Sequence, residues 1–201
     1  GFYLDSSPLN KFSDDILELS NTGINEKINK SHKIIRLGGI VKEVKNLYDK
    51  NNNQWAIVNL ECINGSAEIF VFSNMYQKFS NLIFEDSKLF VIGKPSTRGE
   101  YDPNNPKVIA DKIFTLENIR MNIARTINIK IPYDCRNPEI LNEIKNISSD
   151  FSGNYPIILY LENSEGRYSK IKLTESRINP TIHCLAALRK KLTGTTIKIG
   201  I

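Results

Sequence analysis

Cysteine, histidine and long apolar runs are all scarce in this sequence, and each shortage removes a class of function. The three cysteines, Cys62, Cys135 and Cys184, lie far apart with no C-x-x-C pairing. An odd, scattered set frames neither a disulfide scaffold nor a zinc site, and it fits a reducing, cytoplasmic setting. The two histidines, His32 and His183, are isolated, so no metal and no cofactor are assigned. The longest apolar runs are a few residues, too short for a signal peptide or a membrane span, and no membrane partner is expected. There is no H-x-x-x-H, no nucleophile–base pair and no glycine-rich phosphate loop, so no catalytic residue is assigned and this stretch is not expected to be an enzyme. Asp14-Asp15 is a carboxylate pair, but it falls in the first turn of an expected helix, where it compensates the dipole.

Net positive charge is missing from the first part of the chain. Residues 1–117 carry 14 Lys and Arg against 15 Asp and Glu, and residues 118–201 carry 13 against 7. The whole excess of +5 therefore comes from residues 118–201, and any nucleic-acid contact made earlier must rest on local placement of lysines.

The 201 residues, 40% hydrophobic, suffice for one large or two small cores. The chain is organised around Gln54 to Phe72. Ala56, Val58, Leu60 and Cys62 alternate with Trp55, Ile57, Asn59 and Glu61; beyond Asn64-Gly65, Ala67, Ile69 and Val71 alternate with Glu68, Phe70 and Phe72. This is the period of two strands with one buried face, joined by a tight hairpin whose Asn-Gly supplies positive φ. Upstream, Lys33 to Asn53 reads as a long strand broken by Gly38-Gly39, a pair that marks a bend or bulge. Downstream, Met75, Phe79 and Leu82 recur at helical spacing, and KLFVIGKPSTRG and PKVIADKIFTLE supply two more strands. Five strands with one helix between the third and fourth give the order of an OB-fold barrel over residues 34–117.

Residues 1–33 read as a lead-in, cut from a longer polypeptide, with Ser13 as N-cap of a short helix through Ile16, Leu17 and Leu19. Residues 118–201 read as a second unit, a two-layer α+β domain of order β-α-β-β-α-β. TINIKIP is its first strand. Asn137-Pro138 opens a helix bearing Ile140, Leu141, Ile144 and Ile147, with Asn as cap and Pro at the first helical position. YPIILYLEN and RYSKIKLTE are strands turning at residues 163–166. Asn179-Pro180 opens a second helix bearing Ile182, Leu185, Leu188 and Leu192, and TTIKIGI closes the unit.

GFYL followed by Pro8-Leu9, then Gly39-Ile40-Val41, A-x-V-x-L-E at Ala56 to Glu61 and G-S-x-E-x-x-V-F at Gly65 to Phe72, followed by Tyr76, resembles the C-terminal region of the bacterial DNA polymerase III alpha subunits. The likeness runs in order along essentially the whole chain. It departs at Asp5-Ser6-Ser7, where the family carries Ser-Gly-His or a similar triplet. The resemblance implies a non-catalytic part of a polymerase, the catalytic aspartates, phosphoesterase-like domain and main clamp-binding motif lying upstream. It implies a barrel that binds single-stranded template DNA, a last domain that docks the tau subunit of the clamp loader, and other replisome proteins as neighbours. Asp86-Ser87-Lys88-Leu89-Phe90 resembles a clamp-binding pentapeptide only faintly, since Leu89 and Phe90 belong to the fourth barrel strand.

The residues give this reading candidates. OB folds hold single strands across strands two and three and the flanking loops, by tracking phosphates with cations and stacking bases on aromatics. Lys45, Tyr48 and Lys50 end the first strand beside a flexible Asn51-Asn52-Asn53 turn, and Trp55 opens the second. The loop between strands four and five offers Lys94, Arg98, Tyr101 and Lys107, diluted by Glu100 and Asp102. The DNA-binding set is Lys45, Tyr48, Lys50, Trp55, Arg98 and Lys107; the same residues also read as ordinary solvated loop charges, and Phe70 as core or interface. For partner docking the candidates are Arg189, Lys190 and Lys191 on the last helix, with Ile199 and Ile201 on the closing strand. Ile197 and Ile199 equally suit the unit's own core, and the +6 charge of residues 118–201 could serve DNA instead. A free-standing RNA-binding OB protein and a purely protein-docking module remain the alternatives.

Overall fold

Strand β1 (Ile35–Tyr48) is the spine of the first unit in the computed structural model, which describes residues 8–21, 34–96, 105–117 and 119–201. Its first half pairs antiparallel with β4 (Lys88–Pro95) and its second half with β2 (Gln54–Cys62). Gly39 belongs to both ladders, opposite Leu89 on one side and Cys62 on the other. The register shift falls at Lys42, between Val41 and Glu43, not at the glycine pair. The glycines are there for close approach. A Cβ on Gly39 would fall on the Glu61 carbonyl and 2.8 Å from Leu60 Cγ, and one on Gly38 would sit 2.7 Å from Ile16 Cγ1.

β2 and β3 (Gly65–Val71) form the expected hairpin, but Cys62 lies opposite Gly65, so the loop is Ile63-Asn64. Gly65 alone supplies the positive φ, at 131°; Asn64 does not. Then α2 (Ser73–Phe79) and a 3-10 turn place Met75, Tyr76, Phe79 and Leu82 against the barrel core. β5 (Lys107–Thr115) runs antiparallel to β4 and parallel to β3, closing the barrel in the order β1-β2-β3-β5-β4. This is the five-stranded OB-fold. Its interior is the alternate set Ala56, Val58, Leu60, Ala67, Ile69, Val71, Leu89, Val91, Val108 and Ile113. Each large member contributes roughly 1.5–3 kcal/mol by leaving water. Leu89 and Phe90 are fully buried in β4, as a strand reading requires.

The lead-in does not stand off from the barrel. Helix α1 (Ser13–Leu19), entered through a 3-10 turn, buries Ile16 and Leu19 together with Leu9 and Phe12. Ile16 occupies the space above Gly38, and the Arg36 side chain donates from Nε to the Leu19 carbonyl at 3.1 Å. The Asn21 side chain bridges the Arg36 N–H and the Ile34 carbonyl. Ser13 is the first helical residue and donates to the Asn10 carbonyl, so it is not the cap, and Leu17 faces solvent. The chain divides into two compact units, residues 1–119 and 120–201.

After α3 (Ile119–Ile123) come β6 (Thr126–Ile131), α4 (Glu139–Asp150), β7 (Ser152–Glu162), β8 (Tyr168–Ile178), α5 (Ile182–Lys191) and β9 (Thr196–Gly200). The sheet order is β8-β7-β6-β9, with β6 and β7 parallel and the other pairs antiparallel. The two helices touch each other and cover one face. Beneath them Ile127, Ile129, Ile131, Leu159, Ile197 and Ile199 meet Ile144, Ile147, Leu185 and Leu188, all buried. Leu141 and Ile182, expected on the apolar stripes, are exposed. Asn137 does cap α4, accepting from the Glu139 N–H at 2.9 Å, with Pro138 at helical angles. Asn179 does not cap α5. Thr181 does, accepting from the Cys184 N–H at 3.2 Å, while Asn179 ties down Phe151 and Ser152. The repeated Asn-Pro is therefore not a repeated structural device.

Candidate nucleic-acid interface

Alternation decides what the outside of the barrel presents. Once Ala56, Val58, Ala67, Ile69 and Val108 point inward, their neighbours form rows across the outer face of β1, β2, β3 and β5. The register sets Leu47 opposite Trp55, and the Trp55 ring lies 5.7 Å from that of Phe72. The next row runs Lys45, Ile57, Phe70, Ile109 and Lys94, and the one after it Glu43, Asn59, Glu68 and Lys107. The rings of Phe70 and Phe72 stack at 6.3 Å with 19° between planes. Glu43, Lys45, Ile57, Asn59, Glu68 and Asn105 line a shallow depression on this face. This mostly polar depression borders an apolar, aromatic strip of Trp55, Ile57, Phe70 and Phe72. Trp55, Ile57 and Phe72 are half-buried, and Phe70 is buried.

Of the residues expected to bind DNA, Lys45, Trp55 and Lys107 share this face. Tyr48 does not. It has the parity of Asn46 and Gln54, whose side chains meet the Tyr76 hydroxyl of α2 at 2.9 and 3.2 Å. Lys50 lies in the exposed loop beyond β1. Arg98 and Tyr101 lie outside the described residues. Sequence reasoning omitted Leu47, Ile57, Phe72 and Ile109; its reading of Phe70 as core or interface agrees with a ring that is 7% exposed. The signal was the parity shared by Trp55, Phe70 and Phe72 across the hairpin.

The electrostatics of the face are muted. Lys45 pairs with Glu43 at 3.4 Å, Lys94 with Asp111 at 3.5 Å and Lys42 with Glu61 at 3.0 Å. Such exposed pairs add little stability, but they occupy cations that would otherwise meet phosphates.

The β1–β2 loop is tightly built, contrary to the expected flexible turn. The Asp49 carboxylate accepts from the Asn51 and Asn53 N–H groups at 2.8 and 2.9 Å and from the Asn53 side chain, while Asn52 takes φ 61°. Ser73, at the start of α2, donates to the same carboxylate at 3.4 Å. The Asn53 backbone and side-chain hydrogen bonds, followed by those of Asn51 and Ser73, hold the Asp49 carboxyl below its ordinary 3.8. A depressed folded value means that this contribution is fully present above the unfolded value and is lost as pH falls through the folded one. Expected in an NMR titration are Asn51 and Asn53 amide shifts that move together with a midpoint below 3.8. An Asp49→Ala chain loses that titration; a midpoint at or above 3.8 would contradict the geometry.

Burial, followed by the charge of Glu61, pushes the Cys62 thiol up to about 12, and burial pushes Cys184 to about 11. Neither supplies a thiolate at neutral pH. Among the described residues no group of three or more His, Cys, Asp or Glu is placed to hold a metal ion.

In the second unit, Arg189, Lys190 and Lys191 close α5 and favour its dipole, with Lys191 pairing to Glu143 at 3.7 Å. Ile199 is corrected from docking residue to core: it lies in register with Ile127 on the helix-covered face and is 9% exposed. Ile201 is exposed at 44%, and β9 forms one edge of the sheet. Among the described residues no helix is long and apolar enough to cross a membrane.

The fold thus defines an OB-type barrel followed by a four-stranded, two-helix α+β unit. Along nearly its whole length this chain is similar to a small C-terminal part of DNA polymerase III alpha subunits. The subunit of Bacillus subtilis is 26% identical over 193 residues, covering 96% of this chain and 17% of the relative. That of Borreliella burgdorferi is 24% identical, covering 86% of this chain and 15% of the relative. That of Pasteurella multocida is 21% identical, covering 99% and 17%. The chain thus spans about one sixth of the length of these curated relatives. No protein-family model matches. Among solved structures, the mitochondrial single-stranded DNA binding protein Rim1 of S. cerevisiae aligns with a TM-score of 0.33 at 12% identity, over 44% of this chain and 96% of that one.

Proposed function

We propose that this chain is a non-catalytic module of a replicative DNA polymerase, working in the cytoplasm, whose barrel binds single-stranded template DNA. The observation that carries the reading is the outer strip of Trp55, Phe72 and Ile57, backed by the buried Phe70 ring and flanked by Lys45 and Lys107. Aromatic faces stack bases of any identity, which is what a template-handling surface requires. Because Lys45, Lys94 and Lys42 are each paired with a carboxylate, stacking carries more of this binding than phosphate contact does.

Trp55 is the one tryptophan of the chain, so its fluorescence reports this face alone. Oligo-dT is expected to quench it, with a log–log salt slope of about −1, the release from one or two phosphates. No quenching at any salt concentration would sink the barrel reading. Equal affinity for oligo-U would instead favour an RNA-binding OB module.

The second unit, in this reading, docks the tau subunit of the clamp loader and so ties the polymerase to other replisome proteins. The open edge of β9, exposed Ile201 and the basic turn Arg189-Lys190-Lys191 support it, since a free strand edge accepts an added peptide strand. Ile201→Asp should weaken tau capture in a surface-binding assay at least several-fold; unchanged capture by both that chain and a triple 189–191 alanine variant would remove this part of the reading.

A further inference from the structure

The sheet of the second unit has a face that neither helix covers, and its composition differs from that of the barrel. Residues alternate, so with Ile127, Ile129 and Ile131 beneath the helices, Asn128 and Lys130 point the other way. The register extends the row. Lys130 lies opposite Tyr160, and Tyr160 opposite Lys170; Asn128 lies opposite Ile158 and Lys198, and Ile158 opposite Lys172. Tyr168 lies opposite Glu162, and the Lys130 ammonium sits 5.3 Å from the Tyr168 ring centroid, which confirms that the two share a face. Lys130, Lys170, Lys172 and Lys198 are all exposed, and Tyr168 is 45% exposed.

A solvated sheet face is ordinary; one whose lysines lack carboxylate partners and stand beside two tyrosines is not. Among the described residues no carboxylate lies within ion-pair distance of Lys170, Lys172 or Lys198, whereas three barrel lysines each have one. Glu162 is the acidic residue in register on this face. Lys170 and Lys172 stand about 7 Å apart along β8, and neighbouring strands place further cations at steps of about 5 Å. This is a row of exposed cations across the uncovered face, with the half-buried Tyr160 ring among them, the exposed Tyr168 ring at the edge strand and Ile158 buried beneath.

We propose that this face is a second seat for single-stranded nucleic acid, with Lys130, Lys170, Lys172 and Lys198 meeting phosphates and Tyr160 and Tyr168 stacking bases. Charge complementarity selects a polyanion. The tyrosines select one that carries flat, apolar rings, rather than an acidic polypeptide. The seat is independent of the barrel, and its signature differs: many unpaired cations give a steep dependence on salt, where the barrel gives a shallow one.

The test uses the whole chain with end-labelled oligo-dT, read by anisotropy across a salt series. Lys170→Ala with Lys172→Ala should lower low-salt affinity about tenfold and reduce the log–log slope by about 1.4, two phosphates at ~0.7 each. Quenching of Trp55 should persist in that variant, so failure here and failure of the barrel reading are distinguishable. Lys198→Ala, on another strand, serves as a second variant with a slope change of about 0.7. Tyr168→Leu should lower affinity without changing the slope. Unchanged affinity and slope in both lysine variants would overturn the proposal. So would displacement of oligo-dT by equal charge concentrations of poly-glutamate with no effect of Tyr168→Leu, which would assign the face to an acidic polypeptide.

Discussion

Gly39→Ala is expected to destabilise the first unit by about 3 kcal/mol, lowering its melting temperature by about 10 °C or more. The reason is the position of Gly39 in two ladders at once, opposite Leu89 and Cys62. An added methyl would fall on the Glu61 carbonyl and 2.8 Å from Leu60 Cγ, and the first of these is backbone that cannot rotate away. Relief requires moving β2 off β1 where β1 passes from one partner to the other. Val in place of Ala should cost more. Gly166→Ala is the control: nothing lies within 4 Å of its Cβ, and only the positive φ of 76° opposes it, at about 1 kcal/mol. Thermal melts of the two variants would check the comparison. A Gly39→Ala chain as stable as wild type would mean that β1 and β2 do not approach as described.

Trp55→Ala combined with Phe72→Ala is expected to reduce oligo-dT binding by the barrel at least thirtyfold. Each stacked base contributes about 1–3 kcal/mol by alanine substitution, and 1.4 kcal/mol is a factor of ten, so two lost platforms give roughly 2 kcal/mol at the lower end. The rings lie 5.7 Å apart at 38°, close enough to act as successive platforms. Because neither carries charge, the salt slope should not change. That separates this prediction from substitution of Lys45 or Lys107, where slope and affinity fall together. Trp55→Phe should recover most of the binding. Competition assays with labelled oligonucleotide, run in a Lys170→Ala, Lys172→Ala background so that the second seat does not contribute, provide the readout, since the double variant lacks the tryptophan reporter. A loss under threefold would mean that bases do not stack here.

Much of the fold was legible because its signals are local. The alternation from Trp55 to Cys62 and from Ala67 to Phe72 specifies the hairpin and the inward set without reference to anything distant. The errors came from long-range partners. Asn137-Pro138 and Asn179-Pro180 are indistinguishable in sequence, yet the Asn179 amide is taken by the Ser152 carbonyl, 27 residues away. Asn64-Gly65 signalled a turn correctly, but the cross-strand register puts Gly65 inside β3. Nothing near Gly38 announces that Ile16 will lie above it. For the candidate face, parity identified the aromatic side chains. The carboxylates beside Lys45 and Lys94 were not anticipated, because i,i+2 neighbours and cross-strand pairs become partners only once the sheet exists.

The barrel is closed by its weakest seam. β3 and β5 pair only through Glu68–Phe70 and Lys107–Ile109, in parallel and about forty residues apart, whereas the β2–β3 hairpin closes across two residues. Loop closure makes such a contact late to form, and a short parallel ladder makes it early to open. Amide protons along this seam are therefore expected to exchange by local opening well before those of β1 and β2. Phe70 and Ile109 face each other across the gap, in the strip where a strand of DNA would lie. A ligand lying across both would clasp the seam, so occupancy of the face and closure of the barrel become a single linked equilibrium.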